Sequence, residues 1–157
     1  MVTVVWDLKK PLMKRRANQD VAVKPVSKKQ LIEIGRILVV TWGGFVKSPE
    51  SAERYITPHL EAGLEQPFIA YLGTRAVGCV SPKLDPQSKV GVIDGGVHVL
   101  PEYRRQRIGT ALLLTALRWL KDHGMEAAKV TPFNPEGEEA TRRAIAFYTS
   151  TGGIAGE

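Results

Sequence analysis

The stretch PEYRRQRIGTALLLTALRWL, residues 101–120, places a basic turn directly before an apolar helix pattern. Arg104, Arg105 and Arg107 precede a run of apolar residues at helical spacing. The first turn of a helix carries positive partial charge and unpaired backbone N–H groups, so acidic side chains are the usual residues there. Arginines at this place therefore indicate that an anion binds at the start of the helix.

Composition places the chain among ordinary globular proteins and excludes several classes. The 157 residues suit one domain, with 43% hydrophobic and 24% charged residues. Cys79 is the single cysteine, which excludes a disulfide framework, and the three histidines lie far apart, so we predict no metal site. No apolar run approaches the length of a membrane span, and the charges of residues 1–16 follow the apolar stretch, unlike a secretory signal. We therefore expect a cytoplasmic protein with no membrane partner.

The net charge of +6 is concentrated in residues 8–29 and in residues 104–107. A basic arm can bind nucleic acid, but such a run is more often a solvated surface. The sequence thus favours no nucleic-acid partner. We predict a basic N-terminal extension over residues 1–20 and a folded domain over residues 21–157.

The first part of that domain contains one strand followed by two helices. Residues 21–26 alternate as a strand does. Ser27 and Gln30 have the spacing of a capping box that begins a helix. A second helix is predicted from Pro49, and Pro58 is expected to kink or end it.

The remaining pattern predicts the fold class. A hairpin over residues 67–82, turning at Gly73, precedes a third antiparallel strand over residues 90–99. A helix over residues 108–122, a strand over residues 126–133 and a last helix follow. We predict an α/β (α+β) fold, a mixed and mostly antiparallel sheet with helices on both faces. One βαβ crossover should make the last two strands parallel.

Two motifs in this chain, in this order, resemble those of the GNAT superfamily of acetyl-CoA-dependent N-acetyltransferases. VHVLPEYRRQRIGTALLLTAL, residues 97–117, is similar to the family's strand, P-x-(Y/F)-R turn and R-x-x-G-x-(G/A) loop. ATRRAIAFYTSTGG, residues 140–153, is similar to its A-I-x-F-Y helix. The likeness covers residues 21–153. It implies a GNAT-like fold and acetyl transfer from acetyl-CoA, a cosubstrate, to a primary amine.

The resemblance also implies a set of cosubstrate-binding residues. The backbone of Val97, His98 and Val99 would pair with the pantetheine arm as an added strand. The implied pyrophosphate loop consists of Arg104, Arg105, Gln106, Arg107, Ile108, Gly109 and Thr110. The family usually has glycine at position 107. It often has asparagine where this chain has Thr141, and Asn134 is the nearest asparagine.

The resemblance places a general acid at Tyr148, whose phenol would protonate the departing thiolate. The base is open between Asp94 and His98, four residues apart on the predicted strand. A regular strand would put them on one face, unless a bulge at the intervening glycines breaks that parity. Cys79 is a weaker candidate as an acyl carrier, since a lone strand cysteine usually belongs to the core.

The acceptor and the catalytic status stay open from sequence alone. A small-molecule amine, a peptide N-terminus or a lysine would each suit the chemistry, and Trp42 and Phe45 are candidates to line the acceptor site. The alternative function is a non-catalytic GNAT-fold protein that binds CoA or nucleic acid and acts as a regulator.

The end of the chain departs furthest from the family, which adds two strands after the F-Y helix. Only nine residues follow Tyr148, too few for both strands unless the chain is shortened. Residues 126–133 would then form an unpaired edge, which invites pairing with another strand. We predict that residues 2–8, VTVVWDL, cover this edge, or that a partner subunit does so in a homodimer.

Overall fold

The structure is a computed structural model that describes residues 1–134 and 136–157. Within these residues the strands are β1 (Thr3–Asp7), β2 (Ala22–Pro25), β3 (Phe68–Leu72), β4 (Arg75–Val80), β5 (Pro82–Lys83), β6 (Val90–Ile93), β7 (His98–Val99), β8 (Ala127–Val130) and β9 (Ile154–Gly156). The α-helices are α1 (Leu31–Thr41), α2 (Pro49–Glu61), α3 (Ile108–Asp122) and α4 (Glu138–Thr149). None of these helices is long and apolar enough to cross a membrane.

The strands form two sheets that share neighbouring stretches of chain. The five-stranded sheet has the order β5-β6-β8-β1-β9, and the four-stranded sheet has the order β2-β3-β4-β7. β6 and β8 are parallel and are joined through α3, which confirms the predicted βαβ crossover. The other pairs are antiparallel. The predicted fold, mixed and mostly antiparallel, is confirmed.

The strand predicted over residues 90–99 is divided between the two sheets. β6 pairs with β8, whereas β7 pairs with β4 in the other sheet. Gly95 and Gly96 between them have φ angles of 74° and 82°, a left-handed conformation that glycine adopts without steric cost. A single continuous strand was therefore the wrong prediction, because these two glycines break the extended backbone. We call residues 94–97 the sheet split.

The N-terminal strand covers the edge that the sequence left open. β1 lies between β8 and β9, with Val4 opposite Val130 and Trp6 opposite Ala128. Val4 and Trp6 are both buried in the core. The same-chain alternative for this edge is thus confirmed, and the edge gives no argument for a second subunit. The last residues contribute one short strand, β9, beside β1.

Helix α3 supplies the centre of the larger hydrophobic core. Its buried residues are Ile108, Thr110, Leu112, Leu113, Ala116, Leu117 and Leu120. Gly91 of β6 lies under Leu120, so closely that a side chain there would overlap it. The last turn of the helix therefore packs closely on β6, and the helix also contacts β3, β4 and β5.

Helices α1 and α2 pack on each other and on the four-stranded sheet. A side chain at Gly35 would overlap the backbone of Pro49, so this glycine permits the close crossing. The predicted capping box at Ser27 and Gln30 is present, although it begins a short 3₁₀ turn before α1. Of the two alternatives for Pro58, the end of the helix is wrong, because α2 continues to Glu61, whereas a kink there stays a prediction. A proline in the last turn removes only one helical hydrogen bond.

Candidate functional site

The basic loop, residues 104–107, lies exposed between a short 3₁₀ turn, Pro101–Tyr103, and α3. Arg105 and Arg107 have φ angles of 64° and 60°. Residues other than glycine rarely adopt this left-handed conformation, and such backbone strain clusters at functional sites. Two arginines in this conformation, separated by one residue, indicate a loop whose shape serves a function at some cost in stability.

The start of α3 offers unpaired donors next to this positive charge. Arg107 is the N-cap residue and contributes no capping side chain. The first helical hydrogen bond runs from the Ala111 N–H to the Arg107 carbonyl, at 3.4 Å. The amides of Ile108, Gly109 and Thr110 therefore lie in the uncapped first turn, at the positive end of the helix dipole. The loop and this turn together have the properties of an anion site.

Gly109 packs where α3, α4 and the sheet split meet. A Cβ built at this position would lie 3.4 Å from the Phe147 ring and 3.7 Å from Cγ1 of Val97. These are ordinary contact distances, so a side chain as small as that of alanine would fit here without moving either neighbour. The first turn of α3 is thus packed against the helix that carries Tyr148.

The backbone of β7 points two peptide groups away from its partner strand. The Leu100 N–H donates to the Val77 carbonyl of β4, at 2.9 Å. Because hydrogen-bonding directions alternate along a strand, the backbone N–H and C=O groups of Val97 and Val99 point away from β4 and towards the sheet split. The Val97 N–H donates to the Tyr148 hydroxyl at 2.9 Å, and the Val99 carbonyl accepts from Arg104 Nε at 3.3 Å. A ligand that pairs with this strand must exchange with these two side chains.

Tyr148 is held firmly at the sheet split. The residue is only 4% exposed and meets Trp6 edge-on, with ring centroids 5.8 Å apart. A Cβ at Gly96 would lie 2.7 Å from the Tyr148 hydroxyl oxygen, so only glycine fits beneath it. Burial raises the pKa of Tyr148 to about 12, against the opposing effect of the Val97 N–H. The phenol stays protonated at neutral pH, and its O–H remains available to donate.

His98 is fixed as a neutral ring. Its Nε2 lies 2.8 Å from the Gly95 carbonyl, which can only accept, so Nε2 carries the proton. Its Nδ1 lies 3.0 Å from the Thr41 hydroxyl, which also lies 3.2 Å from the Ile37 carbonyl. Burial lowers the pKa of His98 to about 4, and the charge of Arg104 lowers it further, whereas the Gly95 bond opposes this. Both ring nitrogens are therefore already in hydrogen bonds.

Asp94 lies on the same side of the sheet as His98, beside helix α2. Its charge is the main reason why the pKa of Tyr55 is raised. Its backbone N–H donates to the Ser81 carbonyl at 3.1 Å, where β4 and β5 change sheets. The two candidate bases thus flank the split from the α1–α2 side, with Asp94 at α2 and His98 at α1.

Glu65 is a buried acid that the sequence did not reveal. It is 2% exposed, accepts a hydrogen bond from the Ser81 hydroxyl, and has Oε1 3.6 Å from His59 Nδ1. Within the described part of the chain, Glu65 Oε1 and His59 Nδ1 are buried without a hydrogen-bond partner. Burial raises the pKa of Glu65 to about 7, and the charge of Asp94 raises it further, whereas Ser81 and Lys83 lower it.

No local pattern could have identified Glu65, because its neighbours come from distant positions. His59 lies on α2, Ser81 follows β4, and Asp94 follows β6. The only hint was a charged residue just before the buried strand β3. We call Glu65, His59, Ser81 and Asp94 the acid cluster.

An aromatic wall stands beside His98, at the α1 end of the split. Phe45 and Phe133 meet edge-on with centroids 5.7 Å apart, and they are 57% and 50% exposed. Trp42 stacks obliquely on Phe45 at 5.0 Å and approaches His98 at 5.5 Å. The sequence identified Trp42 and Phe45, but Phe133 was missed because it follows β8, far along the chain. The wall joins the α1–α2 loop to the end of β8.

Two further predicted residues are accounted for by local structure. Asn134 lies in the turn after β8, where its side-chain carbonyl accepts from the Glu136 N–H and its own N–H donates to the Thr141 hydroxyl. Cys79 is buried, and burial raises the pKa of its thiol to about 12, so a thiolate is strongly disfavoured. Across residues 1–134 and 136–157, no group of three His, Cys, Asp or Glu side chains is arranged to hold a metal ion.

A second basic region lies away from the split. A groove of about 630 Å³ runs between the N-terminal segment and the outer side of α3. Its basic side chains are Lys14, Arg15, Arg16, Arg118 and Lys121. It lacks an uncapped helix start, so charge alone distinguishes it from the rest of the surface.

Comparisons with known proteins agree with this geometry. A sequence profile of the Acetyltransferase (GNAT) family matches residues 32–152. No curated protein sequence matches the chain. Among solved structures, an acetyltransferase from Trypanosoma brucei is similar, with 20% identity and a TM-score of 0.68 over 88% of this chain and 95% of that one.

Two other structures have the same fold at similar distance. The aminoglycoside N-acetyltransferase AAC(6')-Iy, in complex with CoA, has 18% identity and a TM-score of 0.65 over 85% of this chain and 90% of its own. A transcriptional regulator from Bacillus halodurans has 21% identity and a TM-score of 0.65 over 84% and 91%. Since the family profile spans well over half of the sequence, the chain belongs to the GNAT family of acetyltransferases.

Proposed function

We propose that this protein transfers an acetyl group from acetyl-CoA to a primary amine. The proposal rests on one observation, which is that two features of the structure lie side by side. The uncapped, arginine-flanked start of α3 adjoins the sheet split, where the Tyr148 hydroxyl meets the Val97 amide. An anion site and a buried proton donor are the two groups that a CoA thioester reaction requires next to each other.

The cosubstrate side is formed by the loop and by β7. Amides of the first turn of α3 would hold the pyrophosphate, with Arg105 and Arg107 supplying charge. Val97 and Val99 would pair with the pantetheine arm after giving up their bonds to Tyr148 and Arg104. Acetyl-CoA, once bound, supplies the acyl group as a thioester.

Asp94 is the better proton acceptor of the two candidates. Both ring nitrogens of His98 are already occupied, Nε2 by the Gly95 carbonyl and Nδ1 by the Thr41 hydroxyl, so neither is free for an incoming amine. Asp94 lies next to Glu65, whose raised pKa of about 7 allows it to exchange protons near neutrality. We assign Asp94 the proton from the amine and Glu65 a place in its path to solvent.

Tyr148 then serves as the acid. The amine nitrogen forms a bond to the carbonyl carbon, the carbon–sulfur bond breaks, and the thiolate takes the Tyr148 proton. Asp94 passes the proton of the amine to solvent, and Tyr148 regains one proton from solvent, so both groups return to their starting forms and the cycle is balanced.

The acceptor side faces the aromatic wall and the acid cluster. Exposed Phe45 and Phe133 offer apolar surface, and Asp94 offers negative charge near the split. A protonated amine is attracted by both aromatic faces and carboxylates. A small-molecule amine, a peptide N-terminus and a lysine all satisfy this chemistry.

The proposal is tested by release of free CoA thiol from acetyl-CoA in the presence of a panel of amines. The panel contains an aminoglycoside, a polyamine, an arylalkylamine and two peptides, one with a free N-terminus and one with an internal lysine. At least one amine should give release that Asp94→Asn abolishes. Binding of CoA without release by any amine would support the non-catalytic regulator instead. Failure to bind CoA at high micromolar protein would contradict the proposal entirely.

A further inference from the structure

The segment that links β1 to β2, residues 8–21, touches the anion-binding loop at Asn18. The Asn18 side-chain amide donates to the Gln106 carbonyl at 2.8 Å, and its backbone N–H donates to the Arg107 carbonyl at 3.2 Å. Its own side-chain oxygen accepts from the Asp20 N–H at 2.8 Å. One residue therefore contacts two successive carbonyls of the loop and is itself fixed in a turn.

These two bonds determine where the loop amides point. In a planar trans peptide the C=O and the following N–H point in opposite directions. The Gln106 carbonyl shares its peptide with the Arg107 N–H, and the Arg107 carbonyl shares its peptide with the Ile108 N–H. Holding both carbonyls towards Asn18 therefore turns both N–H groups to the other side, away from the N-terminal segment.

The loop needs such support because its own sequence opposes its shape. Arg105 and Arg107 have left-handed φ angles that glycine would adopt freely. Without outside contacts these residues would relax towards the ordinary right-handed or extended regions. Relaxation would rotate the peptides on either side of each arginine.

The segment is held at other points, so Asn18 is a fixed support. The Lys10 carbonyl accepts from Lys121 Nζ at 2.7 Å, near the end of α3. Arg15 donates to the Ser150 carbonyl at 3.1 Å, just after α4. The segment thus runs along α3 from its last turn to its first, with contacts at both ends and in the middle.

We propose that Asn18 is a positioning residue for the anion-binding loop, which holds the Arg107 and Ile108 amides towards the ligand. In this chain, contacts from the N-terminal segment hold the loop in a left-handed conformation that glycines would adopt without such support. The identity of the ligand rests on the proposed function, but the conformation of the loop can be measured without any ligand.

The first test uses the protein alone. Amide hydrogen exchange is measured at Ala111, whose N–H donates to the Arg107 carbonyl, in wild type, Asn18→Ala and Gln19→Ala. Gln19 is the exposed neighbouring amide and provides a matched control. If the loop relaxes and this carbonyl rotates away, exchange at Ala111 should rise about tenfold for Asn18→Ala, in keeping with the loss of one hydrogen bond, and stay unchanged for Gln19→Ala. Unchanged exchange in Asn18→Ala would overturn the proposal, whether or not the protein binds CoA.

The second test measures the ligand. Calorimetry with CoA should show binding about tenfold weaker for Asn18→Ala, equivalent to about 1.4 kcal/mol, and unchanged for Gln19→Ala. Asn18→Asp keeps the acceptor for the Asp20 N–H but loses the donor, so it should behave like Asn18→Ala. The KM for acetyl-CoA should rise with kcat unchanged, because Asn18 touches no reacting atom.

A double-mutant cycle separates positioning from general stability. Arg107→Gly relieves the left-handed strain, so Asn18→Ala should cost much less CoA affinity in that background. The same loss in both backgrounds would show that Asn18 acts independently of the strained residue. No binding by wild type would contradict the proposed function, and the exchange experiment would still decide the role of Asn18.

Discussion

The basic loop and the acid cluster lie at the same sheet split, yet they are assembled in opposite ways. The loop is exposed, positive and local, since residues 104–110 follow one another in the chain. The acid cluster is built around the buried Glu65, and its members come from α2 and from the segments around β3, β4 and β6. A single turn of chain can form an anion site, because the start of a helix already supplies N–H donors and the positive end of the helix dipole. A perturbed acid needs burial, which only several packed elements provide.

The largest effect that the comparison predicts is at the residue between the two regions. Tyr148→Phe should lower kcat by about ten- to a thousandfold, because the thiolate loses its proton donor. CoA affinity should change little, since the loop is untouched. Steady-state kinetics with calorimetry measure both, and Tyr71→Phe, which loses a hydroxyl bonded to Glu33, is the matched control. Turnover close to wild type would remove the phenol from the reaction.

The acid cluster should reveal itself in the pH dependence of stability. The pKa of Glu65 is about 7 when folded and 4.5 for the free side chain, so the folded state binds this proton more tightly. The resulting stability is complete below pH 4.5 and is lost as the pH rises through 7, a change of about 3 kcal/mol at most. Glu65→Gln should remove this loss, as measured by urea unfolding from pH 4.5 to 8.

The groups that face Glu65 sharpen that experiment. Ser81 and Lys83 favour the charged form, whereas Asp94 disfavours it, and His59 lies 3.6 Å away. Exposed Glu50→Gln is the control for a change of charge alone. Parallel pH profiles for wild type and Glu65→Gln would mean that Glu65 titrates like an ordinary surface acid, and the contrast with the loop would disappear.

The loop should show a smaller effect that depends on salt. Arg105→Gln combined with Arg107→Gln should weaken CoA binding by about tenfold and reduce its dependence on ionic strength, because both side chains are exposed and screened. The control is Arg16→Gln combined with Arg118→Gln in the N-terminal groove. Equal losses for both pairs would indicate a diffuse attraction by net charge rather than a built loop.

The smallest effect is expected at the aromatic wall. Phe45→Ala should raise the KM of the amine several-fold, roughly the worth of one exposed aromatic contact, and leave the KM of acetyl-CoA unchanged. Phe133→Ala should do the same, since the two rings meet edge-on. An increase in the KM of acetyl-CoA instead would move the wall to the cosubstrate side.

Features formed by residues close together in the chain could be predicted from the sequence, whereas features assembled from distant residues could not. The motif over residues 97–117 identified the loop and α3, and the composition of residues 2–8 identified β1 as cover for β8. Gly95 and Gly96 suggested a bulge, but the change of sheet depends on how β4 and β5 part at Ser81. Glu65 could not be predicted, because its burial is created by residues far away in the chain.

The central claim is that the basic loop, and no other positive surface, holds the phosphates of CoA. Nuclear magnetic resonance of the backbone amides during titration with CoA tests it most directly. We expect the shift changes to be concentrated at the amides of residues 105–110 and of Val97 and Val99, where Tyr148 and Arg104 must exchange with the ligand. Changes confined to the groove at residues 12–16 and Arg118, with the loop amides unmoved, would contradict the account.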